Sequence, residues 1–315
     1  MTAITPTKSP ASTNLPASAF HRDYKSIRTL VSVGLSVLAG TLTVVACIPL
    51  FSVLFMLIVR GGTRLLQGGL AIFTELPPGA MAKPGEGGFG NAIVGTLTMV
   101  VVAVLIAVPF GIMAAIFLTT FGARNPLSTF VRFAAKVMTG LPSILAGVFA
   151  YVAVVLLTGG FSAVAGGVAL SVLMIPIVML TAEEAIKMVP QKMKDAAIGM
   201  GCTPAQVTWK ITIPSAMPGI LTGVMLAVAR AAGETAPLIF TAMMNNFRWA
   251  IDGKQPFVHL MRPTSSMAVF IYNSSASFSQ NLIDLAWAAS LVLVMMVLFF
   301  NIGGQLLSRG SRPKR

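Results

Sequence analysis

The sequence predicts an all-α, polytopic membrane protein with six membrane-spanning helices. Three observations carry this. The 315 residues are 56% hydrophobic and only 10% charged, too little charge to cover the surface of a soluble domain of this length. Apolar stretches of about 20 residues or more recur along the chain, long enough to cross the hydrocarbon core of a bilayer. Fifteen of the 22 Lys and Arg residues fall in the N-terminal tail, the 122–136 turn, the 183–210 segment and the C-terminal tail. The positive-inside rule therefore places both termini and the 183–210 segment in the cytoplasm. The net charge of +13 lies between spans rather than on one soluble face. It reads as a set of topology determinants, not as a nucleic-acid surface.

Residues 1–29 are rich in Ser, Thr, Pro and Ala and carry Lys8, Arg22, Lys25 and Arg28, the composition of a disordered cytoplasmic tail. The first span, 30–59, is too long for the core of a cleaved signal peptide. A Gly/Pro-rich loop covers 60–90, and the second span, 91–121, is interrupted by Pro109-Phe110-Gly111. A short basic turn with Arg124 and Arg132 leads to the third span, 133–157, which contains Gly140-Leu141-Pro142-Ser143. The fourth span, 161–182, contains Pro176, and a polar segment follows in which Glu183 and Glu184, beside Lys187, read as a solvated helix face. The fifth span, 211–244, is separated from the sixth, 282–307, by a polar loop. In that loop Trp249, Phe257, Tyr272 and Phe278 read as interfacial anchors or as part of a docking surface. The six-span domain is thus 30–308, and a basic tail, 309–315, closes the chain.

The fifth span carries two ionisable residues, Arg230 and Glu234, within an apolar run. Charged side chains in a bilayer are costly and mark a pathway or a partner. At 3.6 residues per turn they share one face with Ala216, Gly219, Gly223 and Ala227, all within roughly 40° of Gly223. The face is a groove of small residues ending in two opposite charges. One reading is a substrate pathway, with Arg230 offering a planar fork of donors to an oxyanion. Glu234 then competes for the arginine and keeps binding weak enough for release, and Thr235 adds a hydroxyl. The other reading is a structural ion pair on a helix-packing stripe of the small-xxx-small type.

The most specific signal is the polar segment 189–214. Pro190 suits a first helical position, Thr203-Pro204 reads as an N-cap followed by a first-turn proline, and Gly201 suits a left-handed helix end. Two short helices meeting at a glycine are predicted across the cytoplasmic mouth, lying on the interface or docked in a partner's groove. Cys47 and Cys202 form no disulfide framework, and His21 and His259 are too isolated for paired-His metal ligation. No Gly-rich phosphate loop ending in Gly-Lys-Ser/Thr is present, so the chain does not itself hydrolyse ATP. No cofactor is called for.

The pattern Asp195-Ala196-Ala197, three residues, Gly201, then Ile211-Thr212-Ile213-Pro214 resembles the EAA signature of bacterial ABC-importer permeases. Asp195 replaces the usual Glu, and Ile213 the usual Leu. The run Ala229–Leu238 and the run Gly140-Leu141-Pro142-Ser143-Ile144 are similar to those of phosphate-importer permeases of the PstA type. The resemblance covers roughly residues 90–310 and leaves the long basic N-terminal tail unmatched. It implies the type I (MetI-like) importer permease fold in a bacterial inner membrane. Asp195, Ala196, Ala197, Gly201, Ile211 and Pro214 would belong to the coupling segment that meets the ATPase. The implied partners are a second, homologous permease (PstC type), ATP-binding subunits (PstB type), an extracytoplasmic phosphate-binding protein (PstS type) and the lipid bilayer, with no nucleic acid. Permeases for sulfate, molybdate or phosphonate, and more distantly a proton-coupled secondary transporter, are the alternatives.

Overall fold

The computed structural model describes residues 27–79, 82–122, 125–245 and 260–310. The tail before residue 27, Arg124, Trp249, Phe257, both histidines and the last five residues lie outside these. Among the described residues every regular element is helical. The chain divides into two units, 1–55 and 56–315.

The described part of the first unit lies within one helix, α1 (Ile27–Met56), none of whose residues is buried. At 1.5 Å per residue it is about 45 Å long. A helix this apolar on every side and left unburied suits lipid rather than water. Helix continues through a π-helical turn, Leu57–Gly61, into α2 (Gly62–Gly68), followed by α3 (Ala71–Thr74). The loop predicted from residue 60 is therefore partly helical. Gly61 and Gly62 do not stop the helix, and Gly61 instead allows close approach: a Cβ there would lie 2.6 Å from the Trp287 carbonyl oxygen.

The second span, α4 (Gly90–Ile116), runs unbroken through Pro109, contrary to the predicted interruption. A proline removes one ladder bond, and packing of the surrounding bundle holds the helix together. The third span departs most from expectation. It is two helices, α5 (Pro126–Gly140) and α6 (Ser143–Ala150), and the second continues through the π-helical turn Tyr151–Val155 into α7 (Leu156–Thr158). The pair is bent by 105°. Leu141 precedes Pro142 and has ψ 146°, because the proline ring excludes the helical region for the residue before it. Among the described residues five helices are long and apolar enough to cross a membrane, and the bent pair counted as one span makes six.

The centre of the bundle is α8 (Ala163–Lys187), started by the Ser162 hydroxyl, which accepts from the Ala165 N–H. Helices α4, α5 and α6 pack on it, as does α11 (Ile213–Gly233). Between α8 and α11 the chain forms α9 (Gln191–Gly199) and α10 (Pro204–Val207). After α11 come α12 (Ala236–Ile239), α13 (Met267–Ser275) and α14 (Gln280–Gly310), the last packing on α11 and α13.

The stripe Ala216, Gly219, Gly223, Ala227 seats α8 of the same chain. A Cβ at Gly219 would lie 2.7 Å from the Ala185 Cβ, and one at Gly223 would overlap the Thr181 side chain. Gly223→Val is expected to cost about 1–3 kcal/mol by overpacking this contact, read as a lower unfolding midpoint of the purified protein. An unchanged midpoint would show that the two helices separate freely.

Candidate functional site

The 189–214 segment begins at Pro190, which stands one position outside α9 with ψ 132°. Gly201 has φ +89°, the left-handed conformation that costs a side-chain-bearing residue about 1–2 kcal/mol. Its N–H donates to the Ile198 carbonyl at 2.9 Å, and the Cys202 N–H to the Ala197 carbonyl at 3.1 Å. This pair of bonds is the Schellman termination. Directly after it, the Thr203 N–H donates to Gln206 Oε1 at 2.9 Å and the Gln206 N–H to Thr203 Oγ1 at 3.3 Å. That capping box restarts the helix.

The second helix is not a separate short element, as the local signals predicted. Residues Pro204–Gly233 form one continuous helix, passing through a π-helical turn at Thr208–Thr212. The wider turn opens the hydrogen-bond ladder just ahead of Pro214, where the missing N–H and the ring would break an ordinary α-helix. One short helix, α9, therefore hangs between the end of α8 and the root of the fifth span.

Along α9, Asp195 and Ala196 are exposed and Ala197 is fully buried. Asp195 Oδ1 accepts from Gln191 Nε2 at 2.9 Å. Gly201 and Pro214 are exposed and Ile211 is half-buried. Met193, Ile198, Met200 and Trp209, in the same segment, stand exposed. Beside it, a recess of about 150 Å³ opens between the ends of α8 and α11, lined by Ala185, Val189, Ser215, Ala216 and Gly219 among others.

At the far end of α11, about 30 Å from Ile213 along the axis, the helix stops at Gly233. Glu234 is extended, with φ −74° and ψ 129°. Thr235, half-buried, precedes Ala236-Pro237, which restart a single turn of helix. The fifth span is thus shorter than predicted, because Gly233 and Pro237 bracket a break. Arg230 Nε lies 3.4 Å from Glu234 Oε1, with the arginine side chain 46% exposed and the glutamate 15%. At that length the hydrogen bond is weak, and exposed pairs of this kind contribute little to stability. One turn earlier Ala227 is fully buried, so the face emerges from beneath α8 where the charges begin. The site residues accordingly fall into two groups at opposite ends of one helix.

One charged cluster escaped the sequence. Glu183, read as solvated, is buried, with its side chain only 4% exposed, while Glu184 is exposed. Helix α8 extends beyond residue 182, and Glu183 shares a face with the buried Met179 and Ile186. That spacing was the available signal. Its Oε1 accepts from Arg132 Nε at 2.6 Å and lies 2.6 Å from Lys187 Nζ.

With this geometry in hand, comparison with known proteins is specific. The family profile of the binding-protein-dependent transport system inner membrane component matches residues 107–314. The phosphate transport system permease protein PstA of Yersinia pestis is 38% identical over 76% of this chain and 78% of its own length. PstA of Pasteurella multocida is 38% identical over 79% and 84%. The probable PstA of Methanocaldococcus jannaschii is 33% identical over 87% and 92%. In fold, a chain of the MetNI methionine ABC transporter, in an inward-facing conformation, superimposes with a TM-score of 0.53 at 18% identity, over 71% of this chain and 94% of that one. The protein is a multi-pass membrane component of the type I importer permease fold. It belongs to the family of binding-protein-dependent transport system inner membrane components and, among them, groups with the PstA permeases.

Proposed function

We propose that this chain is the permease subunit of an ATP-driven phosphate importer, one half of a translocation path whose ATP hydrolysis resides in a separate subunit. The observation that carries the reading is the single helix Pro204–Gly233. Its root is the apolar, Schellman-terminated coupling segment, and its tip is the broken stretch with Arg230 and Glu234. The same element can touch a motor at one end and a substrate at the other. The names of the relatives supply phosphate as the substrate; none of those compared above suggests another oxyanion.

In this reading both termini and α9 lie in the cytoplasm of a bacterial inner membrane. Asp195, Ala196, Ala197 and Gly201 sit in a cleft of an ATP-binding subunit, with Ile211 and Pro214 shaping the exit into α11. A second, homologous permease completes the path, and an extracytoplasmic phosphate-binding protein delivers the anion. Closure of the ATP-bound dimer draws the coupling helices together and rotates the bundles from inward-open to outward-open; hydrolysis resets them. Arg230 meets the phosphate oxyanion, Glu234 competes for the guanidinium so that binding stays weak, and Thr235 offers a hydroxyl.

Uptake of labelled phosphate by cells carrying the complete transporter tests the reading. Excess phosphate should abolish uptake of label while sulfate, molybdate and phosphonate leave it intact. Loss of ATP should stop it, while collapse of the proton gradient at constant ATP should not. Suppression by sulfate at equal concentration would overturn the substrate assignment, and uptake surviving ATP depletion would overturn the energy source.

A further inference from the structure

The Arg132–Glu183–Lys187 cluster has no part in the substrate or docking roles above, yet it occupies a singular place. A carboxylate this buried needs partners, since an unpaired charge in an apolar bundle costs several kcal/mol. Glu183 has two cations on one oxygen. Arg132 also donates from Nη2 to the Leu118 carbonyl at 2.8 Å. Leu118 lies in the π-helical turn Phe117–Phe121 that ends α4. One guanidinium therefore ties α5 to both α4 and α8. Glu183 and Lys187 sit in the last turns of α8, and the chain enters α9 at Gln191. Arg132 is thus bonded to the root of the proposed coupling helix.

From Arg132 the chain leads onward to the break. α5 ends at Gly140, the chain turns by 105° at Leu141-Pro142, and α6 packs against α12. There Gly147 permits backbone contact: a Cβ on it would lie 2.6 Å from Pro237 Cα and 3.0 Å from the Pro237 carbonyl oxygen. Pro237 is three residues beyond Glu234. The break at Gly233–Pro237 is therefore gripped from two sides. One side is α11, which rises from the coupling segment. The other is the bent α5–α6 arm, pinned to the opposite root of that segment by Arg132 and Glu183. When the two arms move together the break keeps its shape; when they move apart, the spacing of Arg230 and Glu234 must change.

We propose that the Arg132–Glu183 pair is a positioning pair that fastens the bent α5–α6 arm to the root of α9. Displacement of α9 then reaches the Arg230–Glu234 break along both arms at once. The proposal rests on the ATP-driven reading above. It predicts uncoupling rather than collapse: with the pair broken, the motor turns but the break is no longer driven from the α6 side.

The test uses the assembled transporter with its ATPase subunits and binding protein in proteoliposomes, measuring phosphate imported per ATP hydrolysed. Glu183→Gln keeps the shape of the side chain and removes its charge. It should lower that ratio by about tenfold, within the usual range of coupling between sites, while the complex assembles and hydrolyses ATP. Arg132→Gln should match it, and the double variant should be no worse than either single one, as members of one unit are non-additive. Arg132→Lys, which keeps the cation beside Glu183, should retain much of the ratio. An unchanged ratio in Glu183→Gln would overturn the proposal. So would loss of assembly in every variant, Arg132→Lys included, since that marks a purely structural pair. If wild-type import itself proceeded without ATP, the energy-source reading would have failed, and not merely the role of this pair.

Discussion

Arg230→Ala is expected to reduce phosphate uptake by about 100-fold or more, with the transporter still assembled. Two effects add. The variant removes a fork of donors whose charge-assisted hydrogen bonds to an oxyanion are worth about 1.5–3 kcal/mol each, and about 1.4 kcal/mol is already a factor of ten. It also leaves the Glu234 carboxylate unopposed beside the path, where it repels the anion. Arg230→Lys should retain part of the activity, keeping the charge but losing the planar fork. The long 3.4 Å contact and the half-exposed arginine speak for a guanidinium free to exchange partners. A structural ion pair makes the opposite forecast: Arg230→Ala would lower the yield of assembled complex, and the double variant with Glu234→Ala would recover it. Uptake at wild-type level in Arg230→Ala would remove the residue from the pathway.

Gly201→Asp should have the second large effect, on coupling. A Cβ at Gly201 meets nothing within 4 Å in this chain, so no internal clash opposes it. The cost comes from the backbone, at φ +89°, and from whatever docks outside. The left-handed conformation alone costs an L-residue about 1–2 kcal/mol, enough to loosen the turn that sets α9 against α10. The added carboxylate then lies on the surface that carries Asp195, Met193, Ile198 and Met200. Co-purification of the ATPase subunit, or ATP hydrolysis stimulated by loaded binding protein, should fall sharply. Gly201→Ala separates the contributions, since it brings the strain without the charge. Unchanged co-purification and unchanged stimulated hydrolysis in Gly201→Asp would remove α9 from the docking surface.

Much of this was legible because the signals are local. The left-handed Gly201 and the Thr203-Pro204 start each follow from what one residue does to its own dihedrals. The misreadings share a cause. Pro109 does not interrupt the helix that passes through it, whereas Pro142 bends its span by 105°. A proline specifies a missing donor and a restricted predecessor; whether the helix survives depends on what packs around it. Glu183 was misplaced for a similar reason. Its solvation depends on whether α8 ends at residue 182 or at Lys187, and on α5 bringing Arg132 to within 2.6 Å.

The sequence by itself determined the membrane-spanning class, the turn chemistry of the 189–214 segment and the placement of Arg230 and Glu234 close together in an apolar run. These depend on hydropathy, charge count and short-range sterics, which act over a few residues. Only the tertiary structure decided what the small-residue groove seats, which is α8 of the same chain at Ala185 and Thr181. It also decided that one unbroken helix, Pro204–Gly233, runs from the coupling segment to Arg230 and stops just short of Glu234, and that Arg132 joins Glu183 across 51 residues of sequence. Such contacts are set by how rigid helices fill space against one another, and no window of sequence contains both partners.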